Sequence, residues 1–253
     1  MSAVEFTVDG GVAIITINRP EAKNAVNAEV AKGVAAAVDE INSRDDIRLA
    51  ILTGAGGTFC AGMDLKAFVQ GEVVSIEGRG FAGLTEAPPR KPLIAAIEGY
   101  ALAGGCELAL SCDLIVASEG SKFGVPEVKR GLVAAAGGLM RLPRQIPYRI
   151  AMELALTGDM VPAATLQGYG LINRVVPNGQ ALEEALKLAR IIAENGPLAV
   201  AVSRQIINDQ QEWSASEMWE KQKAYIAPVF TSKDAREGAV AFAEKRKPVW
   251  TGK

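Results

Sequence analysis

The first two thirds of this 253-residue chain repeat a strand, strand, helix rhythm, and few architectures accept it. Residues 3–8 (Ala-Val-Glu-Phe-Thr-Val) alternate polar and apolar, and residues 12–18 do so less strictly. Asp9-Gly10 lies between them as a hairpin signal, and Asn18-Arg19-Pro20 ends the second strand. Asn27 is placed to cap a helix running to about Asn42, with Val30, Val34, Val38 and Ile41 at helical spacing. Residues 48–53 then read as a buried strand.

A second cycle follows. Residues 54–62 form a glycine-rich loop, and a helix is expected over roughly 73–86, ending before Pro88-Pro89. Residues 93–97 read as a buried strand, Gly104 to Ser111 as a short helix, 113–117 as a strand, and 122–125 as a brief extended piece before Pro126. The pattern implies an α/β core. From about residue 145 helices dominate: 145–157, 179–195, 197–208, 214–227 and 234–246, with one short strand from Leu171 to Val176. Gly196-Pro197 marks the expected boundary between a core, residues 1–195, and a helical region, residues 196–253.

Composition narrows the chemistry. The chain has no histidine, which excludes Ser-His and Cys-His nucleophilic schemes and histidine metal sites. Proton transfer at neutral pH then falls to carboxylates, Lys, Tyr, Cys or bound water. Cys60, Cys106 and Cys112 form no Cys-x-x-Cys pair and read as buried thiols in a reducing compartment. A net charge of −2 gives no basic excess for nucleic acid. No stretch of 18 or more apolar residues exists to span a bilayer, and the first residues resemble no signal sequence, so a cytoplasmic protein is expected.

Three segments could carry chemistry. Ala103-Gly104-Gly105 opens an amphipathic helix whose first N–H groups have no internal partner, and Glu107 lies three residues beyond Gly104 on the same face. From these residues alone, close helix packing beside an ordinary glutamate is the alternative and the better-supported reading. Residues 56–65 (Gly-Gly-Thr-Phe-Cys-Ala-Gly-Met-Asp-Leu) could supply a second N–H near Met63; two convergent N–H groups stabilise charge on a thioester oxygen. A plain turn is the alternative there. Glu127 follows Pro126 and could join Glu107 as an acid/base pair, or merely face a helix dipole.

Taken together, these segments resemble the enoyl-CoA hydratase/isomerase (crotonase) family. The matching pieces are Asn18-Arg19-Pro20 with Asn24-Ala25, the run from Thr58 to Leu65, Lys91 to Ile97, and Gly99 to Leu108. They continue through Cys112-Asp113, Phe123 to Glu127, Gly137-Gly138, Arg141-Leu142-Pro143, and the tail residues Glu237-Gly238, Phe242 and Glu244-Lys245-Arg246. The resemblance implies a crotonase-like spiral of repeated strand-strand-helix units, with a helical C-terminal region that mediates trimers or hexamers. It implies no metal and no cofactor beyond the coenzyme A of an acyl-CoA substrate.

By the same resemblance, the thioester oxygen sits between the N–H groups of Met63 and Gly104. Glu107 is the water base and Glu127 the acid of a hydratase. A backbone N–H at Ala135 helps hold the water; Ala134-Ala135 stands where the family often has Pro-Gly, and alanine resists positive φ. Ala103 replaces a common glycine, and Leu139-Met140 a common Thr-Gln pair. Lys23, Ala61 and Lys66 are candidates for the CoA path, with Lys245 reaching a neighbouring subunit's ligand. The expected activity is hydration of a trans-2-enoyl-CoA. A double-bond isomerase, a carnitinyl-CoA-type dehydratase and a non-catalytic CoA-binding homologue are the rivals.

Overall fold

The computed structural model describes residues 2–253. Its first hairpin joins β1 (Val4–Asp9) to β2 (Val12–Ile17), and the turn uses Gly10 and Gly11 at positive φ. Helix α1 (Ala28–Ser43) begins where Asn27 accepts the Val30 N–H at 3.0 Å, as the sequence leads one to expect. Strand β3 (Leu49–Gly54) then pairs parallel with β2. A short helix α2 (Leu65–Val69), capped by Asp64, follows the glycine-rich loop.

The expected helix over 73–86 is not formed. Its place is taken by a small hairpin, β4 (Ser75–Ile76) with β5 (Gly80–Phe81). Gly78, Gly80, Ala82 and Gly83 all take positive φ, which no right-handed helix permits. The segment then packs on α1 closely enough that a Cβ at Gly83 would lie 2.7 Å from the Ala35 Cβ.

The core continues with β6 (Leu93–Ile97), β7 (Tyr100–Leu102), α3 (Gly104–Leu110), β8 (Leu114–Ser118) and β9 (Lys122–Gly124). A 3-10 turn over Pro126–Arg130 precedes α4 (Gly138–Gln145) and α5 (Tyr148–Thr157). The helix expected over 145–157 forms from Tyr148: Ile146 turns extended, Pro147 caps α5, and α4 before it falls where two glycines and Pro143 conceal it. Then come β10 (Val161–Pro162), α6 (Ala163–Gly168), β11 (Arg174–Val176) and α7 (Ala181–Ala193). The chain ends in α8 (Pro197–Asp209), α9 (Met218–Phe230) and α10 (Lys233–Glu244).

The main sheet has the order β1-β2-β3-β6-β8-β11, parallel except for the first hairpin. Its central strands are buried on both faces, so they read as continuous apolar runs. Ala50 and Leu52 face the core under α1, while Leu49 and Ile51 face α7. That helix presents Ala181, Ala185 and Ala189 at i,i+4 spacing, and these small side chains let it lie close to the strands.

A second layer of extended pieces stacks beside the sheet. Val26 pairs with Met63, Cys60 with Ala101, and β7 with β9, each parallel. Each turn of chain therefore lays one strand in the main sheet and one in this layer, which is the spiral that the family resemblance implies. Helix α8 is tied to the residue before β8 through Arg204, whose Nε lies 2.7 Å from both Asp113 carboxylate oxygens.

Candidate active site

The start of α3 is fixed by close backbone contacts. A Cβ at Gly105 would lie 2.1 Å from the Cys60 carbonyl oxygen, and one at Gly104 would lie 2.5 Å from the Phe81 ring. Across from it, Gly62 takes φ +100, and a Cβ there would sit 3.2 Å from the Gly104 nitrogen. The two loops are joined by Cys60 N–H donating to Tyr100 O at 2.8 Å and Leu102 N–H to Cys60 O at 3.0 Å. The Met63 and Gly104 N–H groups have no partner within the described chain and border one cavity. Ala103, just before the helix, holds φ 52 and ψ −129, a strained setting for a residue with a Cβ.

Glu107 lies one turn into α3 and is buried. Its Oε1 accepts the N–H groups of Ala136 at 2.7 Å and Gly138 at 2.8 Å. A Cβ at Gly138 would come within 3.0 Å of that oxygen, so glycine makes this approach possible. Burial pushes the Glu107 carboxyl up to about 6; the Gly138 and Ala136 N–H groups oppose the push, Glu127 adds to it, and Arg141 opposes it.

Glu127 sits in the 3-10 turn after Pro126, half-buried on the same cavity. Its Oε2 is sealed from solvent and has no hydrogen-bond partner among the described residues. Burial raises its carboxyl above the ordinary value, and only its own backbone opposes that. The two glutamates thus differ: one carboxylate is anchored by two N–H groups, the other faces the cavity without such support.

The cavity measures about 570 Å³. Met63, Gly104, Ala135, Lys23 and Ala61 line it together with both glutamates, and Phe68, Phe81, Leu132 and Met160 give it apolar walls. Lys23 stands 5.5 Å from the Tyr100 ring centroid. Ala134 and Ala135 do not take positive φ, so alanine is unstrained there, and the Ala135 N–H has no partner within the described chain. Lys66 lies on α2 beside the wall residue Leu65 but does not line the cavity, and Lys245 ends α10, also outside that lining.

Sequence reasoning missed the Ala136 and Gly138 N–H groups that hold Glu107, and it gave no role to Arg141, Arg130 or Glu86. Gly137-Gly138 was the one available signal, as a glycine pair far along the chain from its carboxylate. Among the described residues no three His, Cys, Asp or Glu side chains are grouped to hold a metal ion.

The family profile described as Enoyl-CoA hydratase/isomerase matches residues 7–253. The chain is 44% identical to enoyl-CoA hydratase EchA19 of Mycobacterium tuberculosis, covering 94% of this chain and 92% of the relative. The chain belongs to the enoyl-CoA hydratase/isomerase family. It is also 40% identical to the carnitinyl-CoA dehydratase of Proteus mirabilis, over 99% of both chains. Among solved structures, an enoyl-CoA hydratase from Mycobacterium tuberculosis H37Rv superposes with a TM-score of 0.99 at 58% identity over the full length of both. A carnitinyl-CoA hydratase from Mycobacterium avium does so at 0.80 and 43%, again over both full lengths. The spiral is thus the crotonase fold, and this enoyl-CoA hydratase/isomerase family member carries a carboxylate at both positions that border the cavity.

Proposed function

We propose that this protein is an enoyl-CoA hydratase that adds water syn across a trans-2-enoyl-CoA to give a 3-hydroxyacyl-CoA. The observation that carries the proposal is the unequal pair of carboxylates on one cavity. Glu107 is anchored through Oε1, which leaves Oε2 free to take a proton from water. With its carboxyl at about 6 it is mostly ionised at neutral pH, as a base must be. Glu127, raised by burial and without an N–H anchor on Oε2, suits the acid.

In the proposed step the water oxygen bonds Cβ as Glu107 takes its proton. The π electrons move through Cα to the thioester oxygen, which the Met63 and Gly104 N–H groups stabilise. Cα then takes a proton from Glu127, and the thioester carbonyl re-forms. The Ala135 N–H is proposed to hold the water. Lys23 and Ala61 are proposed to meet the CoA moiety, with Lys66 near its path and Lys245 reaching a neighbouring subunit's ligand. No cofactor beyond the substrate's coenzyme A is required.

The conjugated enoyl thioester has an absorbance that is lost when hydration removes the conjugation. Mixing crotonyl-CoA with the protein should therefore give a catalytic loss of that absorbance, and binding without loss would refute the reading. A second reading, carnitinyl-CoA-type dehydration, is favoured by the 40% identity to proteins of that name, and it would use the same residues in reverse. A panel of enoyl-CoA and carnitinyl-CoA substrates separates the two. An isomerase would instead move a 3-enoyl double bond without adding water.

Residues 196–253 are proposed as the oligomerisation region of a homotrimer or a hexamer of paired trimers. The protein is further proposed to be cytoplasmic; among the described residues no helix is long and apolar enough to cross a membrane.

A further inference from the structure

Resting on the hydratase reading, we propose that Arg141 is a positioning residue: it grips the loop that carries the Ala136 N–H and so holds Glu107 in its working geometry. Arg141 lies on α4, half-buried, and its guanidinium donates to carbonyls rather than carboxylates. Its Nη2 reaches Thr85 O at 2.6 Å and its Nη1 reaches Ala136 O at 3.3 Å. Ala136 is thereby held on both sides of its Cα, by Arg141 at the carbonyl and by Glu107 Oε1 at the N–H.

The loop is shaped to admit the guanidinium. Gly137 takes φ +101, and a Cβ there would lie 2.1 Å from Arg141 Nη1. The other cations around it are neutralised by contact. Arg144 pairs with Glu212 at 3.2 Å and Arg204 with Asp113 at 2.7 Å, and both line a separate cavity behind α3 that Arg141 also borders. Removing a guanidinium from water without a carboxylate in contact is unfavourable unless its charge is used nearby. The charge it serves is that of Glu107, one residue away through the Ala136 backbone.

The groups acting on Glu107 are few. Glu127 across the cavity raises its carboxyl and Arg141 lowers it. The neighbouring Cys106 thiol is pushed up to about 12 by burial and stays neutral, as does Cys112, which faces Arg141. Loss of the cation should therefore move Glu107 upward and let protons inactivate the base at higher pH.

The test measures kcat/KM against pH for crotonyl-CoA hydration by the wild type, Arg141→Met and Arg141→Lys, and for Arg141→Met in a Glu107→Gln background. Arg141→Met should lose about tenfold or more at pH 7, and its acid limb should move to higher pH. Arg141→Lys keeps the cation, so its limb should stay near wild type with an intermediate rate. In the Glu107→Gln background the same Met substitution should cost less than about threefold more, because the group it serves is gone. If Arg141→Met does not fold, Arg141→Gln carries the same readouts. An unmoved acid limb in the charge-removing variant, or its full loss repeated in the Glu107→Gln background, overturns the Arg141 assignment and leaves hydration intact. A wild type that does not hydrate crotonyl-CoA overturns the functional reading and this assignment with it.

Discussion

Glu107 carries two demands that oppose each other. As the proposed base it must be ionised to accept a proton, yet it is buried, and burial raises its carboxyl from 4.5 to about 6. Because the folded chain binds this proton more tightly than the unfolded chain, stability from the protonated form is present below about 4.5 and lost as pH rises through about 6. At pH 7 the ionised group costs about 2 kcal/mol. Glutamine removes the charge while its carbonyl still accepts the Ala136 and Gly138 N–H groups. Glu107→Gln should therefore be more stable than wild type at pH 7 and gain less at pH 5, as measured by urea unfolding at both values. A variant less stable than wild type at pH 7 would show that the carboxylate is held better than its burial implies. Ala103 is a second place where the site works against stability: its positive φ sets the Gly104 N–H at the cavity, in a conformation that glycine takes more readily.

At the scale of elements, the hairpin formed by β4 and β5 is the part that most clearly depends on glycine. It places Phe81 against Gly104 and passes Gly83 over α1. Gly83→Ala would need positive φ with a Cβ 2.7 Å from Ala35, so a loss of about 2 kcal/mol or more is expected in thermal or urea unfolding. An unchanged midpoint would mean that the segment is not packed as described. This hairpin was also where sequence periodicity misled. The stretch over roughly 73–86 read as a helix, while the φ values of Gly78, Gly80, Ala82 and Gly83 have no local signature in a sequence rich in glycine. By contrast, β1 to β3, α1 and β6 were legible because their apolar periods match the faces they bury. Residues that line the cavity were legible, but the contacts that support them were not. Met63, Gly104, Glu107 and Glu127 lie in recognisable local segments, and the structure lines one cavity with them. The contacts of Ala136 and Gly138 with Glu107, and of Arg141 with Thr85, join positions about thirty residues or more apart, pairings that no local pattern encodes.

At the scale of the whole molecule, the last helices leave large apolar side chains uncovered. Trp219, Phe230 and Phe242 are 64%, 77% and 88% exposed, and α8 and α9 bury no residue. Such exposure in a group of neighbouring helices fits an assembly surface. Light scattering at micromolar concentration should give a trimer or hexamer, and a monomer would remove the proposed role of residues 196–253 and of Lys245 across subunits.

The proposed hydration depends on two glutamates acting on one water. The direct measurement is the hydration rate of crotonyl-CoA by the wild type, Glu107→Gln, Glu127→Gln and the double variant, with isomerisation of a 3-enoyl-CoA assayed beside it. Each single substitution should lower hydration by about 10²–10⁴, and the double variant should lose less than the product of the two. Hydration near the wild-type rate in Glu107→Gln, or a wild type that only isomerises, would contradict it.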